Sequence, residues 1–234
     1  MTSRIAVLAS GGGSNLQAIL DHFDALGDRR GGSVVVVASD RSTAGALERA
    51  ERRGIPTAVL SAEGRGAEGT QPLDRVVDEH GVDLIALAGY VKMIPPHVVA
   101  RFDGRMVNVH PALLPAFGGR GMYGNRVHHA VIASGARVSG VTVHFVDTQY
   151  DHGAIIAQWP VPVFEGDDAG TLAARVLRVE HILYPRVIDA VAAGRLSLGA
   201  LAASNAPADS KPAFTLLPHE DSRLAENIEL ALAR

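Results

Sequence analysis

Along the first 190 positions, short apolar runs alternate with stretches whose apolar residues recur every three to four positions. Arg4 to Ser10 (RIAVLAS) is apolar throughout and stops at Gly11-Gly12-Gly13, which predicts a buried strand entering a tight turn. After Asn15, the residues Leu16, Ile19, Leu20 and Phe23 fall on one face of a helix. Ser33 to Asp40 (SVVVVASD) is a second β-branched run; Ala46, Leu47 and Ala50 then predict a short helix ending at Gly54. A weaker strand follows over Thr57 to Ser61, a helix through Leu73, Val76, Val77 and His80, and another buried strand over Val82 to Gly89. A short helix after Pro95-Pro96 leads to a strand over Arg105 to His110. Val127 to Ser134 reads as a helix, Gly140 to Val146 and Ala154 to Val163 as strands, and Thr171 to Ala192 as a long helix. Strands apolar at every position are expected where helices cover both faces of a parallel sheet. The expected fold is therefore α/β: a doubly wound, mostly parallel sheet.

The last 40 residues break this rhythm. Ala202 to Lys211 (AASNAPADSK) is small, polar and Pro-containing and reads as a linker, while Leu224 to Leu232 predicts one amphipathic helix. The expected organisation is an α/β domain over 1–195 and a C-terminal extension over 196–234. The extension, including Phe214-Thr215-Leu216-Leu217, is expected to dock on the domain or to mediate self-association.

Composition removes several classes of function. The chain has 234 residues, 47% of them hydrophobic, which speaks against wholesale disorder. Its formal charge is −3 with no Lys/Arg-rich run, so no nucleic-acid footprint is expected. Cysteine is absent, which excludes disulfides, thiolate nucleophiles and Cys-ligated zinc. Ile5 to Ala9 is too short for a signal h-region, and no apolar run approaches a membrane span. A cytoplasmic protein without membrane partners is expected.

Two features carry chemistry. The first is Ser10-Gly11-Gly12-Gly13-Ser14-Asn15, between the first strand and the first helix, at the carboxyl end of the sheet where such folds bind ligands. The N–H groups of Gly13, Ser14 and Asn15 at a helix N-terminus suit an anion. No Lys-Ser/Thr follows, so it is not a P-loop, and Leu16 stands where a dinucleotide fingerprint has its third glycine. Three readings stay open: a phosphate site, a dinucleotide site with Asp40 on the ribose, and a plain turn with Ser14 as helix cap.

The second is Val107-Asn108-Val109-His110-Pro111. Asn108 and His110 are two apart and so project from one face at a strand end. Asn can donate to a developing oxyanion, and His can shuttle a proton near neutral pH. A structural, hydrogen-bonded histidine competes evenly. Asp151, in Tyr150-Asp151-His152-Gly153, either bonds its own turn or orients His110 and stabilises its cation. His144 reads as a core or supporting histidine, and His128-His129 as residues of an exposed helix. With no HExxH and no ligand-like spacing among these histidines, no metal is expected.

Taken in order, SGGGSNLQAI, LAGYVKMI, NVHPALLPAF, SGVTVHFVD, YDHGAIIAQ and VEHILYP resemble the glycinamide ribonucleotide formyltransferases, folate-dependent enzymes of purine biosynthesis, over residues 4 to 195. The resemblance implies a Rossmann-like formyl-transferase fold. It also implies transfer of the formyl group of 10-formyltetrahydrofolate, the co-substrate, to the amine of 5′-phosphoribosylglycinamide. Under it Asn108 stabilises the tetrahedral oxyanion, and His110 handles protons with Asp151 as partner. Gly13, Ser14 and Asn15 hold the phosphate, Glu180 holds the glycinamide end, and Lys92, Met93 and Ile94 flank the folate. No metal is implied, because the carrier already activates the formyl group. The implied partners are the two small molecules, with neither nucleic acid nor membrane, and a homodimer is allowed for.

This chain departs from the family pattern at three places. Lys92 stands where Arg is frequent, without the bidentate fork. Gly153-Ala154 replaces a usual Gly-Pro. Phe117 to Gly124 (FGGRGMYG) replaces a commoner Pro-Gly loop, its four glycines suggesting a mobile lid with Arg120 available to an anion. The competing functions are a related formyltetrahydrofolate hydrolase, a formyltransferase with another amine acceptor, a dinucleotide-dependent oxidoreductase using Gly11, Gly13 and Asp40, and a non-catalytic nucleotide-binding module.

Overall fold

The computed structural model describes residues 2–60, 70–199 and 224–233. The first strand, β1 (Ser3–Leu8), is followed by α1 (Ser14–Leu26), β2 (Gly32–Ser39), α2 (Gly45–Arg52), β3 (Thr57–Leu60), the two-residue β4 (Thr70–Gln71) and α3 (Leu73–Glu79). Then come β5 (Leu84–Leu87), α4 (Pro96–Arg101), β6 (Met106–His110), α5 (Asn125–Ala133), β7 (Val138–Phe145), β8 (Ile155–Pro162), α6 (Ala169–Ala192) and α7 (Leu224–Leu232). Among the described residues the strands form one eight-stranded sheet, ordered β4-β3-β2-β1-β5-β6-β7-β8. Pairing is parallel from β4 through β6 and antiparallel at β6–β7 and β7–β8. The doubly wound, mostly parallel reading holds. β4 had no sequence signal, since Thr70-Gln71 is too short to carry a period. The last residue of the third predicted strand, Ser61, the linker over 202–211 and the segment 214–217 lie outside the described residues.

The central strand β1 is apolar on both sides because each side meets helices. In β1, Ile5 and Val7 pack into a core with Leu16, Ile19 and Phe23 of α1 and Val179, Leu183 and Val187 of α6. Ala6 and Leu8 pack into the opposite core with Val76 and Val77 of α3 and Val98, Val99 and Phe102 near α4. α7 joins the first core: Leu224 and Ile228 are buried, and the helix lies against α6.

The chain leaves β1 toward β2 and β3 and later returns to β5 on the other side. The carboxyl ends of β1 and β5 therefore flank the switch point at which open α/β sheets bind ligands. Asn108 and His110 share the parity of Met106, whereas Val107 and Val109 point into the core beneath α6. Tyr184 of α6 reaches that junction and bonds the carbonyls of Leu87 and Val107 (2.9 and 3.0 Å), tying the helix to neighbouring β5 and β6.

Candidate active site

A cavity of about 790 Å³ opens at this switch point. It brings together Asn108, His110 and Asp151, the predicted folate segment Lys92, Met93 and Ile94, and Asn15 and Glu180 at its other end. Gly13 and Ser14 do not line it, and they adjoin Asn15 at the start of α1. Asp40, at the end of β2, does not line it either.

The end that holds Asn108, His110 and Asp151 is a network that fixes protons to particular atoms. Asn108 and His144 are direct cross-strand partners on β6 and β7. His144 Nδ1 lies 2.8 Å from the Phe145 carbonyl, which can only accept, so that nitrogen carries the hydrogen. His144 Nε2 is then a lone pair, and it accepts from Asn108 Nδ2 at 3.0 Å. Asn108 Nδ2 retains a second hydrogen for the cavity. By the same logic His110 Nε2 donates to the Phe117 carbonyl at 2.9 Å. Its free nitrogen, Nδ1, faces Asp151 Oδ2 at 3.5 Å. Burial holds the His110 pKa below its ordinary 6.5, against the pull of Asp151 and the Phe117 carbonyl. Burial lowers His144 likewise.

Asp151 is a non-glycine residue in the left-handed region (φ 53°), a conformation Asp tolerates better than most residues. Its Oδ2 accepts from the Gly119 N–H at 2.9 Å. Gly153 next to it admits no side chain: a Cβ there would lie 1.9 Å from the Phe145 carbonyl oxygen. The turn after His110 is pinned by Thr142, whose hydroxyl accepts from the Leu114 N–H and donates to the Ala112 carbonyl. Gln158 adds bonds to the Leu114 carbonyl and to Thr142. The glycine-rich loop is thus attached to His110 and Asp151 at two points, Phe117 and Gly119. It brings Arg120, Met122 and Tyr123 to the cavity wall, with Arg126 stacked on the Tyr123 ring.

Glu180 of α6 is buried at the other end and accepts from Asn15 Nδ2 at 2.6 Å. Burial raises its pKa, with the Asn15 bond opposing. Asn15 Oδ1 is buried without a partner, as is Nε2 of His181. His181 has its pKa lowered by burial and by the charge of Arg49. Gly13 is the N-cap of α1 at φ 75°, and a Cβ there would sit 2.7 Å from Ala46 Cα. Ser14 as helix cap is therefore corrected: no side chain caps α1, and the N–H groups of Gly13, Ser14 and Asn15 have no acceptor among the described residues.

His128-His129 on an exposed helix is half corrected. His129 is exposed, but His128 faces the cavity at 4% exposure, with its pKa pushed down to about 4 by burial and by His110 and His129. The helix period places Val127, His128 and Val131 together on the inward face, a signal that the adjacent pair obscured. Among the described residues, no three His, Asp or Glu side chains are arranged to hold a metal ion.

The formyl transferase family model matches residues 3–188. The chain belongs to the formyl transferase family. Among its relatives is phosphoribosylglycinamide formyltransferase of Escherichia coli, 37% identical and covering 83% of this chain and 89% of the relative. The chloroplastic phosphoribosylglycinamide formyltransferase of Vigna unguiculata is 45% identical over 82% of this chain, which spans only 62% of that relative's length. The solved structure of glycinamide ribonucleotide transformylase 1 from Symbiobacterium toebii superposes with a TM-score of 0.74 at 41% identity, over 83% of this chain and 90% of that one. This formyl transferase has no described helix long and apolar enough to cross a membrane.

Proposed function

We propose that this formyl transferase moves the formyl group of 10-formyltetrahydrofolate onto the amine of 5′-phosphoribosylglycinamide. The observation that carries the reading is one cavity with Asn108 and the His110–Asp151 pair at one end and the buried Glu180, held by Asn15, at the other, where the unpaired amides of Gly13 and Ser14 adjoin it. The phosphate rests on the N–H groups of Gly13, Ser14 and Asn15. Glu180, held by Asn15, receives the glycinamide end, and Lys92, Met93 and Ile94 flank the folate.

The amine nitrogen attacks the formyl carbon, a C–N bond forms, and the carbonyl pair moves onto oxygen. The spare hydrogen of Asn108 Nδ2 meets that charge, its direction fixed by His144. His110 Nδ1 takes the proton lost by the amine, and Asp151 stabilises the resulting imidazolium. The same proton goes to N10 of the folate as the C–N10 bond breaks, giving formylglycinamide ribonucleotide and tetrahydrofolate. Because His110 is held below its ordinary pKa, it is neutral and ready to accept a proton at pH 7.

Residues 1–195 form the catalytic unit in this reading and 196–234 an extension, and a cytoplasmic location belongs to the same proposal, tested by cell fractionation. The activity is tested by following the absorbance of a 10-formyl folate analogue with and without the phosphorylated amine. Amine-dependent loss of the formyl group supports the proposal. Formate release that ignores the amine replaces it with a hydrolase.

A further inference from the structure

No residue of α2 lines the cavity, yet α2 shapes its anion end. The Gly11 carbonyl accepts from the Ala46 N–H at 3.1 Å, and the Gly12 carbonyl accepts from Arg49 Nε at 2.7 Å. The close approach of Gly13 to Ala46 leaves the loop resting directly on this helix. Arg49 Nη1 also donates to Gln17 Oε1 at 3.2 Å, so one guanidinium spans the glycine loop and the first turn of α1. The consequence is a sorting of polar groups: both loop carbonyls turn back onto α2, and the N–H groups of Gly13, Ser14 and Asn15 are left for a ligand. The sorting matters because each peptide presents both an oxygen and an N–H, and a carbonyl oxygen facing a phosphate repels it. The unpartnered Oδ1 of Asn15, in a residue 93% buried by its 7% exposure, marks the same spot as built for a ligand that also brings donors.

We infer that Arg49 is a positioning residue for phosphate binding: its grip on the Gly12 carbonyl and Gln17 holds the loop in its anion-accepting arrangement. The inference deepens the proposed function and rests on its phosphorylated substrate. Lys cannot substitute, because an ammonium lacks the fork that reaches both acceptors.

The test titrates inorganic phosphate into the full-length ¹⁵N-labelled protein and follows the amide signals of Gly13, Ser14 and Asn15. Arg49→Met and Arg49→Lys should each weaken phosphate about tenfold, the scale of one hydrogen bond to a charged donor. Arg52→Met, which removes an equal charge from the same helix without touching the loop, should leave the affinity unchanged. In turnover, Arg49→Met should raise KM for the phosphorylated amine by a similar factor, with kcat and the folate KM within about twofold. The inference is overturned by unchanged phosphate affinity in Arg49→Met, by full rescue in Arg49→Lys, or by equal loss in Arg52→Met. It is likewise overturned if phosphate does not move these amides in the unmodified protein. Phosphate binding that depends on Arg49, in a protein that transfers no formyl group, upholds the inference and defeats the functional proposal instead.

Discussion

The two ends of the cavity are built from different parts of the polypeptide. The proposed anion end is mainly the backbone of the loop that adjoins the cavity at Asn15: three glycines, a left-handed N-cap, and amides freed because their neighbouring carbonyls bond elsewhere. The proposed catalytic end is side chains on the transition from parallel to antiparallel pairing, where β7 places His144 opposite Asn108 and the β7–β8 loop folds back to bring Asp151 to His110. A backbone site tolerates change in side chains but not in conformation. A side-chain site has the reverse sensitivity. The difference predicts separable failures, one seen in binding and the other in kcat.

The largest effect should come from the catalytic end. Asn108→Ala is expected to lower kcat by about 10²–10³, as removal of an oxyanion donor does, with KM for the phosphorylated amine nearly unchanged. A main effect on KM instead would merge the two ends into one. His144→Phe sharpens the same point: it leaves the cavity's charge alone but frees Asn108 to rotate, so kcat should fall about tenfold or more without loss of phosphate binding, as steady-state kinetics with a phosphate titration would show.

At the other end, Gly13→Ala meets a φ of 75° and Ala46 Cα at 2.7 Å. It should cost about 1–3 kcal/mol of stability and raise KM while sparing kcat, measured by denaturant unfolding and turnover. A Gly13→Ala protein of unchanged stability would show that the loop relaxes more freely than its packing implies.

The smallest and most diffuse effect is on pH. His110, His128, His144 and His181 all have folded pKa values lowered by burial. The unfolded chain binds protons near 6.5, so the stability these groups contribute is present above that pH and lost as pH falls through their folded values, which for His128 is about 4. Glu180 has the opposite sign, its raised pKa favouring the folded state on the acid side. Thermal unfolding should therefore shift downward between about pH 6.5 and pH 4, and His128→Leu should flatten that slope. The acid limb of kcat/KM should lie below 6.5, because His110 must be neutral to accept a proton.

The sheet was legible because β1, β2 and β5 carry runs of consecutive apolar residues and the intervening helices keep a regular period. β4, with two residues, had no such pattern to read. In the site, Asn108 and His110 stood out as polar groups on a buried strand, and the glycine loop as a break at a strand end. What sequence could not supply was long-range pairing. That Asn15 would meet Glu180 across 165 positions, or that Phe117 would lend His110 a carbonyl, depends on how helices and loops pack, and no local period encodes it. Arg49 was invisible for a related reason: on an exposed-looking ERAERR stretch, its partner is a backbone oxygen thirty-seven residues away.

The most direct measurement supplies the folate with a ¹³C-labelled formyl group together with phosphoribosylglycinamide and identifies the labelled product. Label on the amine nitrogen, abolished by Asn108→Ala and dependent on the substrate phosphate, is the result expected here. Label recovered only as free formate, or transfer indifferent to the phosphate, would contradict a cavity with a catalytic end and an anion end working on one substrate.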